Sequence, residues 1–291
     1  MTDLFGNDIK DKTNTDLDRK IAFAISLIQS ASAKAKEAGQ VIEVCYSGGK
    51  DSDIILELTK RAGVPYRAIY KNTTIDQAGT PAHARKNGCE VVMPKENFIA
   101  LVGKYGFPNR FRRICCKKLK EYKICDYAIL GIRKAESTKR DKRYQEPEAC
   151  RVFSKNSKVK QYYPILYWTD EDVERFIKEN NIQCHPHYYD AQGNFHVERR
   201  IGCVGCPLQS KPLRIEEFKA HPNMVKLYIR AGQKYFDKKK STTQYKDVYE
   251  WFVRDVFFES QKDFDAVFKD RLFADDVDCK KFLENYFKIA L

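Results

Sequence analysis

Between residues 41 and 70 a short apolar run, a glycine pair, a helical pattern and a second apolar run follow one another. Val41, Ile42, Val44, Cys45 and Tyr46 are too few for a buried helix and read as a buried strand. Gly48 and Gly49 turn the chain into a helical stretch over 53–62, which Gly63 closes, and residues 66–70 supply the next strand. This is a βαβ unit. Further strands are expected at 90–93, 127–132 and 161–165, and a helix at 17–38 precedes the first strand. The alternation predicts an α/β fold, a doubly wound, mostly parallel sheet with helices on both faces. After Pro207 the period becomes helical, at 214–238, 245–259 and 262–289, which predicts a C-terminal helical appendage. The expected division is a loose arm (1–16) and helix over 1–40, a nucleotide-binding domain with a cysteine site over 41–210, and a basic helical region over 211–291.

The turn itself reads Ser47, Gly48, Gly49, Lys50, Asp51, Ser52. Glycines bring backbone amides close to oxyanions, and the following helix presents free N–H groups and a positive dipole end to the same anion. Lys50 adds a charge, Ser47 and Ser52 add donors, and Asp51 is placed to hold Mg²⁺ through water. The spacing is not that of a Walker loop. A bare tight turn would explain the glycines but not the serines, lysine and aspartate around them.

The 291-residue chain is 43% hydrophobic, enough for a core without crosslinks, and no apolar run reaches the roughly 20 residues that span a bilayer. The N-terminal segment lacks a leader pattern, so a cytoplasmic location is expected. Ten cysteines in such a setting call for something other than disulfides. Cys115 and Cys116 are adjacent, and Cys203 and Cys206 flank a Val-Gly turn that lets two sulfurs face one centre. Adjacent cysteines diverge in an extended backbone and reach a single zinc ion awkwardly, whereas a multi-iron cluster spreads its ligand positions. A [4Fe–4S] cluster is therefore expected, with zinc as the alternative. The other six cysteines read as buried thiols. His185 and His187 read as an ordinary loop pair around Pro186, and Thr169 as the N-cap of a helix with Asp172 nearby.

Five segments stand in order: the loop at 47–52, the basic and cysteine-bearing stretch 110–120, residues 131–137, residues 163–173, and residues 202–207. Together, over roughly residues 40–210 of this chain, they resemble the phosphoadenosine-phosphosulfate reductase family. The loop resembles the PP-loop of enzymes that cleave ATP between the α and β phosphates. The resemblance implies an adenine nucleotide α-hydrolase-like fold and a loop that grips pyrophosphate. It also implies that Cys115, Cys116, Cys203 and Cys206 are the cluster site of the cluster-bearing members. Arg133, beside Glu136, Ser137 and Arg140, falls at a strand end, where open α/β sheets bind ligands and arginine suits phosphate or sulfate.

The chain departs from the reductases twice. Their nucleophilic cysteine lies in a Glu-Cys-Gly-x-His-type tail, whereas the one cysteine here past Cys206 is Cys279, with no glycine or histidine after it. Their loop also departs from the full Ser-Gly-Gly-Lys-Asp-Ser form that this chain keeps. Both features resemble the relatives that put sulfur into nucleic acid, DNA phosphorothioation enzymes and cluster-dependent tRNA thiolases, which implies ATP, Mg²⁺ and a cysteine desulfurase as partners. The net charge of +13 and the basic residues Lys211, Arg214, Lys219, Lys226, Arg230, Lys234 and Lys238 to Lys240 suit DNA or tRNA. Lys50, Asp51 and Arg133 are the expected catalytic residues. Two other readings stay open: a sulfonucleotide reductase or sulfate-activating relative acting on a small molecule, and a nucleotide-binding regulatory module without turnover.

Overall fold

The computed structural model describes residues 16–154, 157–268 and 277–291, so the arm expected over 1–16 and the middle of the helix expected over 262–289 lie outside the described residues, Asp16 excepted. Six strands form one sheet: β1 (Ile42–Tyr46), β2 (Tyr66–Lys71), β3 (Glu90–Val92), β4 (Tyr127–Ile129), β5 (Glu148–Ser154) and β6 (Ser157–Tyr162), in the order β3-β2-β1-β4-β6-β5. β1 pairs parallel with β2 (Val44 opposite Ala68) and with β4 (Glu43 opposite Ala128), and β4 pairs parallel with β6. β5 pairs antiparallel with β6.

Two expectations shift. The strand expected at 161–165 ends at Tyr162, because Pro164 has no N–H to give a ladder. It begins earlier, as half of a hairpin whose first strand, β5, the periodicity did not show. The strand expected at 127–132 closes at Ile129, and its chain then runs out to Arg133.

The helices are α1 (Asp16–Glu37), α2 (Lys50–Ala62), α3 (Thr80–Lys86), α4 (Phe98–Tyr105), α5 (Ile114–Leu119), α6 (Thr138–Arg143) and α7 (Asp170–Glu179). After residue 207 come α8 (Lys211–Ala220), α9 (Pro222–Lys239), α10 (Val248–Phe252), α11 (Gln261–Phe268) and α12 (Cys279–Phe287). The helix expected over 214–238 is two, broken where Pro222 restarts the chain at N1. Residues 253–258 continue α10 as a π-helix, burying Val253, Val256, Phe257 and Phe258. No helix among the described residues is long and apolar enough to cross a membrane.

The chain forms two compact units interleaved in sequence, unlike the consecutive segments 1–40, 41–210 and 211–291. The first takes residues 1–70, 79–92 and 123–201; the second takes 71–78, 93–122 and 202–291. In the first, α1 presents Leu17, Ala24, Ile28, Ala31 and Ala35 at helical spacing to the sheet and to α2. Ile54, Ile55 and Leu58 of α2 are fully buried, and each truncation to alanine costs about 2–5 kcal/mol. Thr169 caps α7 in a reciprocal box with Asp172, as its sequence suggests. The second unit has an aromatic core in which Phe107 packs on Trp251 at 4.2 Å and Phe98 on Tyr228 at 5.0 Å between ring centroids.

Candidate active site and cysteine cavity

β1 is flanked on one side by β2, reached through α2, and on the other by β4, so the strand order reverses between β1 and β4. Ligands of open α/β sheets bind beyond the strand ends at such a point. The chain leaving β1 there is the loop from Ser47 to Ser52, and the chain leaving β4 carries Arg133.

The loop is held by its own polar atoms. Gly48 sits at φ +79°, and a Cβ on it would stand 2.4 Å from Thr80 Cγ2, so only glycine fits without movement. Gly49 is the N-cap of α2, its N–H donating to Ser47 Oγ at 3.4 Å. Ser52 Oγ donates to the Gly49 carbonyl at 2.6 Å, and Ser47 Oγ lies 3.3 Å from Ser52 Oγ. The α2 N-terminus with its partial positive charge therefore follows a backbone turn fixed in advance.

Lys50 is 4% exposed, with Nζ 3.3 Å from the Arg199 carbonyl, 3.8 Å from Asp51 Oδ2 and 5.2 Å from the Tyr188 ring centroid. Burial lowers its pKa below the usual lysine value; Asp51 opposes this, and Arg133 adds to it. An ammonium has three protons to donate, and a buried one in this setting favours an arriving anion. Arg140 is likewise lowered, by burial first and then by Arg200. This end of the sheet concentrates positive charge.

Arg133 is 1% exposed and is engaged on three sides. Its Nε donates to Asp51 Oδ1 at 2.6 Å, Nη2 to Asp170 Oδ1 at 2.8 Å and Nη1 to the Trp168 carbonyl at 3.3 Å. Its guanidinium, expected to be catalytic, is thus committed to Asp51, Asp170 and a backbone carbonyl, and the first of these contacts ties it to the loop. Asp51, expected to hold Mg²⁺, gives one oxygen to Arg133 and keeps Oδ2 beside Lys50. Glu136 Oε2 accepts from the Arg133 N–H at 3.3 Å and pairs with Arg140, and Ser137 Oγ caps α6 by accepting from the Arg140 N–H at 3.2 Å. Both residues shape the arginine-rich rim.

Sequence reasoning missed a buried network behind the loop. Asp53, in the first turn of α2, accepts a short hydrogen bond from Tyr46 Oη and lies 3.1 Å from His83 Nε2. His83 meets His185 edge-on at 5.6 Å, and Asn87 Nδ2 donates to Tyr46 Oη at 2.9 Å. Burial pushes the Asp53 carboxyl up while His83 and Tyr46 pull it down. His185, at the head of the turn Pro186–Tyr188, is buried and packs against this network. Asp53 and His83 are 30 residues apart with no motif joining them; their helices had to be placed before the pair was visible.

All four candidate metal cysteines fall in the second unit. Cys115 and Cys116 open α5, while Cys203 bridges antiparallel to Asp76 and the Cys206 N–H donates to the Cys203 carbonyl at 3.2 Å. Between them Gly205 sits at φ +70°, its N–H donating to Glu217 Oε2 at 2.8 Å, and a Cβ there would stand 2.3 Å from the Phe218 ring. The four sulfurs line one small cavity of about 20 Å³, together with Thr73, Ile75, Phe98, Leu119, Lys120, Pro207 and Tyr228. Among the described residues no three His, Cys, Asp or Glu side chains stand grouped as for a single ion. Burial holds the Cys203 thiol up at about 12, against the pull of Lys120. The Tyr228 hydroxyl, fully buried on this cavity, has no hydrogen-bond partner among the described residues.

Residues 42–209 match the phosphoadenosine phosphosulfate reductase domain. An uncharacterised protein of Methanocaldococcus jannaschii is 29% identical over 222 residues, 71% of this chain and 51% of that protein. A second from the same organism is 28% identical over 63% of this chain and 39% of its own length. A tRNA-cytidine(32) 2-sulfurtransferase of Stenotrophomonas maltophilia is 47% identical over 51 residues, 16% of this chain and 17% of that enzyme. The chain thus spans about half or less of the curated relatives it matches. A phosphoadenylyl-sulfate reductase structure from Candida auris, a phosphate complex, aligns with a TM-score of 0.41 at 16% identity, covering 58% of this chain and 88% of that one. The domain match takes in more than half of the sequence, and the chain belongs to the phosphoadenosine phosphosulfate reductase domain family.

Proposed function

We propose that the protein is an ATP-dependent sulfur-transfer enzyme that cleaves between the α and β phosphates and modifies nucleic acid. The observation that carries this reading is the intact loop from Ser47 to Ser52 at the start of α2, with the buried Lys50 ammonium beside it. An oxygen of the acceptor attacks the α-phosphorus, the bond from that phosphorus to the bridging oxygen breaks, and pyrophosphate departs. Its charge is met by the loop amides and Lys50, groups fixed before the reaction begins. A sulfur nucleophile, delivered with the help of a partner such as a cysteine desulfurase, then displaces AMP from the activated acceptor. Mg²⁺ accompanying ATP would be held near Asp51 Oδ2, and would supply charge neutralisation. The partial likeness to a tRNA sulfurtransferase and the net charge of +13 support a nucleic-acid acceptor.

Cys115, Cys116, Cys203 and Cys206 would hold a [4Fe–4S] cluster, with zinc as the alternative. Four thiols around one largely apolar cavity suit soft, thiolate-bound iron, and the orphan Tyr228 hydroxyl is a donor waiting for an inorganic acceptor. When bound, the cluster would supply a centre able to exchange electrons or bind sulfur.

The family match alone would equally allow sulfonucleotide reduction, for which the resemblance puts the nucleophilic cysteine in a C-terminal tail; Cys150 is exposed, contrary to the buried thiol expected there, but lies on β5 and not in that region. Cys279 is 3% exposed, and burial holds its thiol up at about 12, unlike a nucleophile. The test sets pyrophosphate release from ATP, with and without DNA or tRNA, beside thiol-dependent sulfite release from phosphoadenosine phosphosulfate. Pyrophosphate release lost in Lys50→Ala and kept in Cys279→Ser is expected. Sulfite release that depends on Cys279, with no pyrophosphate formed, would overturn the reading.

A further inference from the structure

The segment between α4 and α5 carries Arg110, Phe111, Arg112 and Arg113, and α5 adds Lys117 and Lys118. Phe111 is 99% exposed, far beyond any other described large apolar side chain. Leaving such a ring in water forgoes roughly 1.5–3 kcal/mol of burial. Its backbone is nevertheless fixed. The side-chain oxygen of Asn109 accepts from the Phe111 N–H at 3.0 Å and the Arg112 N–H at 2.7 Å, closing an Asx turn under the ring. Arg110 donates to the Gln209 carbonyl at 2.9 Å and fastens the loop to the turn after Cys206.

The charges that flank the ring along the chain are of one sign. Residues 106–120 contain no acid. Arg113 is paired with Glu121 and Arg110 lies 3.6 Å from Glu259, but Arg112, Lys117 and Lys118 have no acidic partner among the described residues. A protein-docking surface has a contiguous apolar centre with charge at its rim. An exposed ring within a stretch of exposed cations matches instead a base face and its phosphates. A duplex keeps its base faces stacked inside, so only an unpaired base can use the ring.

We propose that Phe111, with Arg112, Lys117 and Lys118, binds single-stranded nucleic acid, an unpaired base stacking on the ring and phosphates meeting the cations. The inference rests on the reading that the acceptor is nucleic acid, and it adds that the acceptor is engaged unpaired.

Fluorescence anisotropy of the full chain with labelled single-stranded DNA, single-stranded RNA and duplex DNA of one sequence, without ATP, tests it. Phe111→Ala should weaken single-strand binding roughly 5- to 150-fold, with duplex binding little changed and Phe111→Trp close to wild type. The two single strands tell which sugar is preferred. Lys117→Ala/Lys118→Ala should flatten the salt dependence by roughly 0.7 in slope for each phosphate no longer neutralised. Since Phe111 buries nothing, its alanine variant should melt as the wild type does. Unchanged single-strand affinity in Phe111→Ala, or equal losses for duplex and single strand, overturns the inference while leaving a nucleic-acid acceptor standing. A wild type that binds no nucleic acid overturns both, while pyrophosphate release still tests ATP cleavage separately. Self-association in sedimentation that Phe111→Ala abolishes, without any effect on single-strand binding, would assign the ring to a protein contact.

Discussion

Arg133 Nε donates to Asp51 Oδ1 at 2.6 Å, tying the segment after β4 to the first turn of α2. The guanidinium is nearly inaccessible and the Asp51 side chain is mostly buried, so one contact sets where the loop's only carboxylate points. Asp51 in turn is the nearest anion to Lys50, at 3.8 Å. Moving it changes the field at the lysine.

Removing one partner of a buried ion pair strands the other, at roughly 3–5 kcal/mol. Arg133→Ala should therefore lower stability to urea towards the lower end of that range, since Asp170, its second partner, is half-exposed. Asp51→Asn should cost less, and the double variant should fall short of the sum by roughly 0.5–3 kcal/mol. Strict additivity in the cycle would show that Arg133 does not position Asp51.

Lys50 carries a proton-linked consequence. Its pKa is lowered below the usual lysine value, chiefly by burial, so the folded protein gives up that proton at lower pH than the unfolded chain does. Between the lowered folded pKa and the unfolded one the unfolded chain holds more protons, and the group's contribution to stability rises with pH. Phosphates beside it restore the proton. Nucleotide binding should take up a proton in the alkaline range below the ordinary lysine pKa, measured calorimetrically across pH in buffers of different ionisation enthalpy. Lys50→Met should abolish the uptake, and Lys50→Ala should slow pyrophosphate release on the order of 10²–10³-fold. Uptake that persists in Lys50→Met would place the phosphates elsewhere.

What the sequence disclosed was local. The loop, its flanking strand and helix, and the Thr169 cap are specified by residues within a few positions of one another. The β5–β6 pair was hidden because its strands carry few apolar residues: in β6 Lys158 and Lys160 alternate with buried Val159 and Gln161, and β5 is the edge strand. The second unit was hidden for another reason. Residues 71–78 and 93–122 join the C-terminal helices through contacts such as Phe98 on Tyr228 and Phe107 on Trp251, and no period in the chain encodes a partner more than a hundred residues away. The same blindness covers Asp53, His83 and His185, which only topology brings together.

Gly48→Ala meets two separable penalties. A residue with a Cβ at φ +79° costs roughly 1–2 kcal/mol, and the new methyl would stand 2.4 Å from Thr80 Cγ2. Adding Thr80→Ser removes that methyl group while keeping the hydroxyl. The double variant should recover part of the stability and nucleotide affinity lost in Gly48→Ala, and the dihedral part should remain. Full recovery would mean the conformation at residue 48 is unimportant.

Tyr228 offers a test of the cysteine site with opposite signs in its two states. Without metal its buried hydroxyl lacks a partner among the described residues, a state that costs roughly 1–3 kcal/mol, so Tyr228→Phe should raise the melting temperature of the metal-free protein. If a cluster fills the cavity, the hydroxyl gains a sulfur acceptor and the substitution should no longer stabilise. The protein purified without air should be brown, with iron and sulfide bound, and Cys203→Ser or Cys206→Ser should bleach it. Tyr228→Phe should stay brown, its midpoint potential more negative on the order of tens of millivolts, because one hydrogen bond that favours the reduced, more negative cluster has gone. A colourless wild type holding one zinc per chain would remove the cluster and leave the four cysteines as ligands. A brown protein whose melting and potential both ignore Tyr228→Phe would show that the hydroxyl does not face the cluster.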